Sequence, residues 1–186
     1  MADGTTPLRK RPASLAEFLD WEQSQTARHE FRGGRITMMT GGRLRHSRLA
    51  IRIASALNAR MKGGRCFAYA ENVLVALHNA DAGYYPDVVV DCGAYKPDAL
   101  SAIEPRVVFE VLSPSTRATD FSEKVPDYRD SGVKQIVLVE PDEPLLHVWT
   151  ETDKGWRESR LEGQVKTLAL PSLGISLTMA EIYEGV

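Results

Sequence analysis

Val107-Val108-Phe109-Glu110-Val111-Leu112 is a run of β-branched and large apolar residues interrupted once, by a carboxylate. The composition favours a strand, and the apolar neighbours of Glu110 make an ionised side chain there costly unless something compensates it. Compensation has three forms: a partner such as Arg106, exposure at a strand edge, or a metal ion. A metal lowers a carboxylate's pKa and offsets repulsion from a second acid.

A second acid stands upstream in Tyr84-Tyr85-Pro86-Asp87-Val88-Val89-Val90, where proline suits the entry to an apolar strand. By itself the Pro86-Asp87 dipeptide reads better as a turn closure than as a site. Downstream, Lys124 shares a helical face with Tyr128 by i,i+4 spacing, and alone it reads as a solvated lysine. Together, two strand-borne carboxylates and a nearby lysine are the parts needed to bind a metal, deprotonate water and stabilise a pentacovalent phosphate.

Outward from this centre the elements alternate. Ser14-x-x-Glu17 is a capping box that opens a helix running to about Ser24. His29 to Arg32 and Arg35 to Met38 flank Gly33-Gly34 as a hairpin. From Leu44 to Met61, His46, Leu49, Ala50, Ile53 and Leu57 recur at helical spacing, with Arg45, Arg48 and Arg52 on a flanking stripe. Strands are expected at Cys66 to Leu77, Asp87 to Asp91 and Arg106 to Leu112. A helix capped by Asp120-x-x-Glu123 should then run through Tyr128. Pro126 is placed to kink it. Strands at Gln135 to Val139, Leu145 to Thr150 and after Gly155, and a short helix near Met179, complete a mixed sheet flanked by helices. The expected organisation is a basic tail over residues 1–12 and one domain over residues 13–186.

The chain has 186 residues, enough for a full core without covalent staples, and no apolar run long enough to span a bilayer. Neither an export signal nor a membrane partner is expected, and the cytoplasm is the expected compartment. Cys66 and Cys92 lack CxxC or zinc spacing and are expected to be reduced and partly buried. Charge is segregated: residues 1 to 66 hold 13 of the 23 Lys and Arg but 5 of the 25 Asp and Glu, leaving 10 against 20 in the remainder. That split is compatible with a surface facing nucleic acid and equally with a dipolar solvated one. Arg45, Arg48 and Arg52 suit phosphate contacts on the first reading. Ser113, Ser115 and Thr116 have no Gly-x-Ser-x-Gly context, so turn formation and capping explain them better than nucleophilic catalysis.

Pro86-Asp87, then Phe109-Glu110-Val111-Leu112-Ser113-Pro114-Ser115-Thr116-Arg117, then Asp120-x-x-x-Lys124-x-x-x-Tyr128 and Gly132-Val133 resemble the signature of the Uma-two family of restriction-endonuclease-like proteins. His29-Glu30-Phe31-x-x-Gly34 and His46 resemble two earlier elements of that family, so the likeness covers nearly the whole chain. It implies an α/β restriction-endonuclease-like fold and a place among the PD-(D/E)XK nucleases. It further implies Mg²⁺ or Mn²⁺ held by Asp87 and Glu110, and Lys124 orienting or activating the attacking water. Glu30 and His46 become accessory residues. Read from the residues alone, His46 is better explained as a hydrogen-bonded core histidine, and Glu30 is equally an exposed partner of Arg32 or Arg35. The superfamily's lysine stands two residues after the acid, a position held here by Leu112, so Lys124 must supply it from the helix. The expected activity is metal-dependent hydrolysis of phosphodiester bonds in DNA. Cleavage of both strands of a duplex would favour a twofold dimer. The rival expectation is a non-catalytic DNA-binding or regulatory module on the same fold.

Overall fold

The computed structural model describes residues 11–39 and 41–186; most of the tail expected over residues 1–12 lies outside them. The chain opens with α1 (Leu15–Glu22), where the Ser14 hydroxyl accepts the Glu17 amide. The hairpin of β1 (His29–Arg32) and β2 (Arg35–Met38) turns at Gly33 and Gly34, whose φ angles of 51° and 83° an L side chain rarely adopts. Then come α2 (Leu44–Arg60), β3 (Phe67–Ala70), β4 (Val75–Leu77), β5 (Ala82–Tyr84), β6 (Val88–Asp91) and β7 (Pro105–Val111). After β7 the chain enters α3 (Arg117–Thr119), a π turn (Asp120–Lys124) and α4 (Val125–Arg129). It ends with β8 (Gln135–Val139), β9 (Leu145–Thr152), β10 (Gly155–Glu162), β11 (Thr167–Leu170), β12 (Ile175–Thr178) and α5 (Met179–Tyr183).

Six strands form the central sheet in the order β10-β9-β8-β7-β6-β3. Only β7 and β8 run parallel, and the helical segment between them makes the crossover that parallel neighbours require. Alternation along the strands divides the core in two. Val88, Val90, Val107 and Phe109 pack toward Leu49, Ile53 and Leu57 of α2 and Ile182 of α5. Val89, Val108, Ile136 and Leu138 face the other way, toward Val125 and Tyr128 of the crossover and Val75 and Tyr84 of a second sheet, ordered β2-β1-β5-β4. The expected mixed sheet with flanking helices, N-terminal helix and hairpin is observed. The strand expected over Cys66 to Leu77 is instead two, β3 and β4, parted where Glu71 and Asn72 take φ angles of 50° and 61°, and the unforeseen elements are β5 and the β11–β12 hairpin.

Strand β3 is an edge, and the outward backbone groups of Ala68 are occupied. Asn58 of α2 accepts the Ala68 amide and donates to the Ala68 carbonyl, each at 2.8 Å, imitating a neighbouring strand. Asn58→Ala is expected to lower stability by about 1 to 3 kcal/mol, as a partly buried strand loses both partners. Denaturant melting is the check, and an unchanged midpoint would show that the side chain adds nothing.

Two expectations are corrected. The crossover helix begins at Arg117, not at Asp120, so Asp120 is interior and buried instead of being an N-cap. Its widened turn lies immediately before Pro126, whose ring has no amide to donate and crowds the carbonyl four residues back; a π turn relieves that crowding without breaking the helix. Cys66 and Cys92, expected to be reduced, form a disulfide. The register Phe67↔Asp91 sets these cysteines opposite each other just beyond the paired residues of β3 and β6. Their Cα atoms are 4.0 Å apart, close enough for the side chains to bond. Among the described residues no helix is long and apolar enough to cross a membrane.

Candidate active site

Asp87 and Glu110 meet because of sheet register. Val88 pairs with Phe109, so the preceding Asp87 and the following Glu110 fall opposite each other, on the same face as Val89 and Val108. The Asp87 side chain reaches across to β7, where its Oδ2 accepts the Val111 amide at 2.6 Å. From the other core, the first turn of α2 carries His46 to the same atom, Nε2 lying 3.1 Å from Asp87 Oδ2. That bond raises the His46 pKa against the opposing effect of burial.

The crossover helix supplies the rest. Asp120, Lys124 and Tyr128 lie four residues apart and project together onto Glu110. Lys124 Nζ stands 3.3 Å from Glu110 Oε1, 3.6 Å from Asp120 Oδ1 and 2.8 Å from Glu30 Oε1 of β1. Tyr128 donates its hydroxyl to Glu110 Oε1 at 2.9 Å, and the Tyr85 amide reaches Glu30 Oε1 at 3.3 Å. Glu110, Lys124 and Asp120 are 4%, 5% and 1% exposed, so these charges interact with little screening. Behind them Tyr84 and Arg32 bond Asp127, and Arg35 pairs with Glu123. These contacts anchor the crossover to the second sheet and frame a cleft of about 220 Å³ beside Lys124 and Glu30.

Four carboxylates, Glu30, Asp87, Glu110 and Asp120, thus converge on one ammonium and one imidazole, and negative charge is in excess even with His46 protonated. Burial and the neighbouring acids drive the Glu110 carboxyl well above its ordinary range, although Lys124 pulls the other way. Burial likewise raises Asp120, and its Oδ1 is buried without a hydrogen-bond partner. Burial also works against the Lys124 ammonium, yet Glu110, Glu30 and Asp120 outweigh it and its pKa is raised. The three carboxylates thus favour the ammonium form of Lys124.

These features fit a divalent cation. Among the described residues no cluster of three or more His, Cys, Asp and Glu side chains forms a ready cage. Mg²⁺ asks for less, since one or two carboxylates suffice while water completes its shell. Asp87 Oδ1 and Glu110 Oε2 accept no hydrogen bond from a described residue and are the atoms available for it.

The structure brings together Glu30, His46, Asp87, Glu110 and Lys124 of the sequence-derived set. Arg48 and Arg52 it directs elsewhere: Arg48 donates to the Gly185 carbonyl, and Arg52 donates to the Glu181 carbonyl at 3.1 Å and pairs with Glu184, tying α2 to the C-terminal helix. Arg45, beside His46, pairs with the exposed Asp142 in the loop after β8. Asp120 and Tyr128 join the site without having been singled out; the signal was their shared spacing with Lys124.

A family model described as "Putative restriction endonuclease", Uma2, matches residues 15–180. An uncharacterized protein of Synechocystis sp., slr1290, is 30% identical over 176 residues, covering 93% of this chain and 92% of its own. A second from the same organism, sll1609, is 26% identical over 119 residues, 62% of this chain and 67% of its own. A crystal structure from Anabaena variabilis, described as a putative nuclease belonging to DUF820, superposes with a TM-score of 0.74. At 20% identity, covering 92% of this chain and 98% of that one, the likeness is one of fold. With a family model spanning most of its length and a relative matching nearly end to end, this chain belongs to the Uma2 family of restriction-endonuclease-like proteins.

Proposed function

We propose that the protein is a metal-dependent endonuclease that hydrolyses phosphodiester bonds in DNA. The observation that carries this reading is the gathering of buried and half-buried carboxylates around Asp87 and Glu110, with the buried Lys124 among them beside a cleft. Asp87 and Glu110 would hold Mg²⁺ or Mn²⁺, which when bound supplies Lewis-acid stabilisation of phosphoryl oxygens and a more acidic water. The protein's own contributions follow from its contacts. His46 and the Val111 amide fix the Asp87 carboxylate, and Tyr128 fixes Glu110. The surrounding carboxylates favour the ammonium form of Lys124, and in that form it orients the attacking water and opposes the negative charge that develops on phosphate. Glu30 and Asp120 hold its ammonium in place.

The test is cleavage of single- and double-stranded DNA with Mg²⁺, with Mn²⁺ and in chelator, using Asp87→Ala as control. Cleavage that needs metal and Asp87 is expected. DNA binding that is equal in chelator and never followed by cleavage would identify a binding module instead. For cuts in both strands of a duplex we further propose a twofold dimer, read as sedimentation of two chains on one duplex.

Of Arg45, Arg48 and Arg52, only Arg45 lies at the Asp87 end without a main-chain acceptor among the described residues. Arg45→Gln is expected to lower the salt dependence of DNA affinity by about one unit across sequences. Arg48→Gln and Arg52→Gln should leave it unchanged and loosen the C-terminal helix. Equal slopes for wild type and Arg45→Gln would remove this residue from the DNA path.

A further inference from the structure

At the far end of β6 from Asp87, a second cleft of about 620 Å³ opens beside the edge strand β3. Its walls carry aromatic rings that a chain of this size would ordinarily bury: Phe67 is 52% exposed and Tyr95 78% exposed. Phe67 and Tyr69 lie ring to ring on adjacent same-face positions, their centroids 5.1 Å apart.

The cleft is a built feature. Its outer wall, residues 93–104, has no helix or strand, yet it is pinned at both ends. Asp91 Oδ1 accepts the Gly93 and Glu104 amides at 3.1 and 2.6 Å, and Oδ2 accepts the Ile103 amide at 3.0 Å. The Ala102 amide donates to the Leu74 carbonyl at 2.8 Å. Cys92 is bonded to Cys66. A Cβ on Gly93 would come within 2.5 Å of the Ile103 side chain, so the two ends of the loop touch where no other residue fits. Long irregular segments held this firmly are where binding surfaces are found.

The charge of the cleft is selective. Asp91 is turned to the backbone amides and is not presented to a ligand. Glu104 is shared between Arg65 and Arg106, and Lys96 forms no ion pair with a described residue. Arg65 and Lys96 stand beside the exposed rings, and Asp91, the acid of the lining, is engaged by amides, while the exposed Asp98 of the same loop lies outside the lining. Such a surface complements a ligand that is planar and carries negative charge. An unpaired nucleobase on its phosphate backbone has both properties, and base stacking on aromatic side chains with basic residues alongside is how single strands are held without regard to sequence.

We propose that this cleft seats an unpaired base of a nucleic-acid strand, a second contact point remote from Asp87 and Glu110. The proposal rests on the nuclease reading for its ligand class, but it is tested without cleavage. Wild-type protein in chelator is titrated with a short fluorescent oligothymidine strand and with an abasic strand of equal length. The base-bearing strand should bind about tenfold more tightly, and Phe67→Ala or Tyr95→Ala should each remove about that factor while leaving the abasic strand unaffected, the loss expected of one stacked base. Phe67→Tyr should retain binding, which separates loss of the ring from a change of fold. Equal affinity for the two strands, or unaltered oligothymidine binding by both alanine variants, would overturn the proposal. So would a dimer of the wild type that either substitution dissociates while base binding persists, since the rings would then belong to an interface between copies. Cleavage by the same variants with Mg²⁺ judges the nuclease reading separately: a protein that discriminates bases yet never cuts keeps the cleft and loses the enzyme.

Discussion

Lys124→Met is expected to cost the metal-free fold about 3 to 5 kcal/mol and to reduce DNA cleavage by about a hundredfold or more. Both effects come from one geometry. The ammonium is 5% exposed and lies within 3.6 Å of Glu30, Glu110 and Asp120. Removing it leaves three carboxylates in a site where water replaces little of the lost interaction. The penalty should shrink on acidification. Burial places the Glu110 and Asp120 carboxyls above their ordinary values in the fold, so each binds protons more readily folded than unfolded, and stability rises as pH falls through that raised range toward 4.5 for Glu110 and 3.8 for Asp120. Thermal melts of wild type and variant between neutral and mildly acid pH measure the convergence. A variant that melts with the wild type at neutral pH, or cuts DNA at the wild-type rate, would show that Lys124 neither balances these acids nor serves the reaction.

Glu110→Gln should behave in the opposite way in metal-free solution, although Glu110 touches the same ammonium. Glutamine still offers an acceptor to Tyr128 and Lys124, and Lys124 keeps Glu30 at 2.8 Å and Asp120 at 3.6 Å. What disappears is a buried negative charge whose desolvation exceeds what Lys124 returns. The metal-free variant is therefore expected to be as stable as wild type or more stable by about 0.5 to 2 kcal/mol. Its cleavage should fall about a thousandfold, equivalent to the several kcal/mol a catalytic cation contributes. The rise in melting temperature that Mn²⁺ gives the wild type should vanish, because only binding to the folded state produces it. A loss of about 3 to 5 kcal/mol with the Mn²⁺ response intact would make Glu110 the structural counter-ion of Lys124 and nothing more.

How much of this was legible in the sequence follows from the range of each contact. Glu110 was visible because its own strand is apolar on both sides, and Asp87 because proline marks a strand entry. Their meeting depends only on the pairing of β6 with β7. Lys124 and Tyr128 were joined by helical spacing. Asp120 escaped because Asp-x-x-Glu imitates a helix start; only the turn gained upstream at Arg117 and the π turn ahead of Pro126 place it inside, facing Lys124. Strand β5 is three residues with Gly83 at its centre, too short for periodicity to show, and the break that separates β4 from β3 lies in a turn at residues 71–74 that the apolar residues on either side conceal. The disulfide hinges on β3 pairing with β6, a register that no local pattern announces. The arginine stripe of α2 was read correctly as a stripe. What Arg48 and Arg52 face, the C-terminal segment, is a contact across more than a hundred residues and lies beyond any local signal.

The carboxylate pair as a metal site is tested most directly by titrating the full-length protein with Mn²⁺ and following loss of the free ion's paramagnetic resonance signal. Saturable binding by the wild type, competed by Mg²⁺ and abolished in both Asp87→Ala and Glu110→Gln, is the predicted result. Binding by Asp87→Ala that matches the wild type in affinity and stoichiometry would contradict the account.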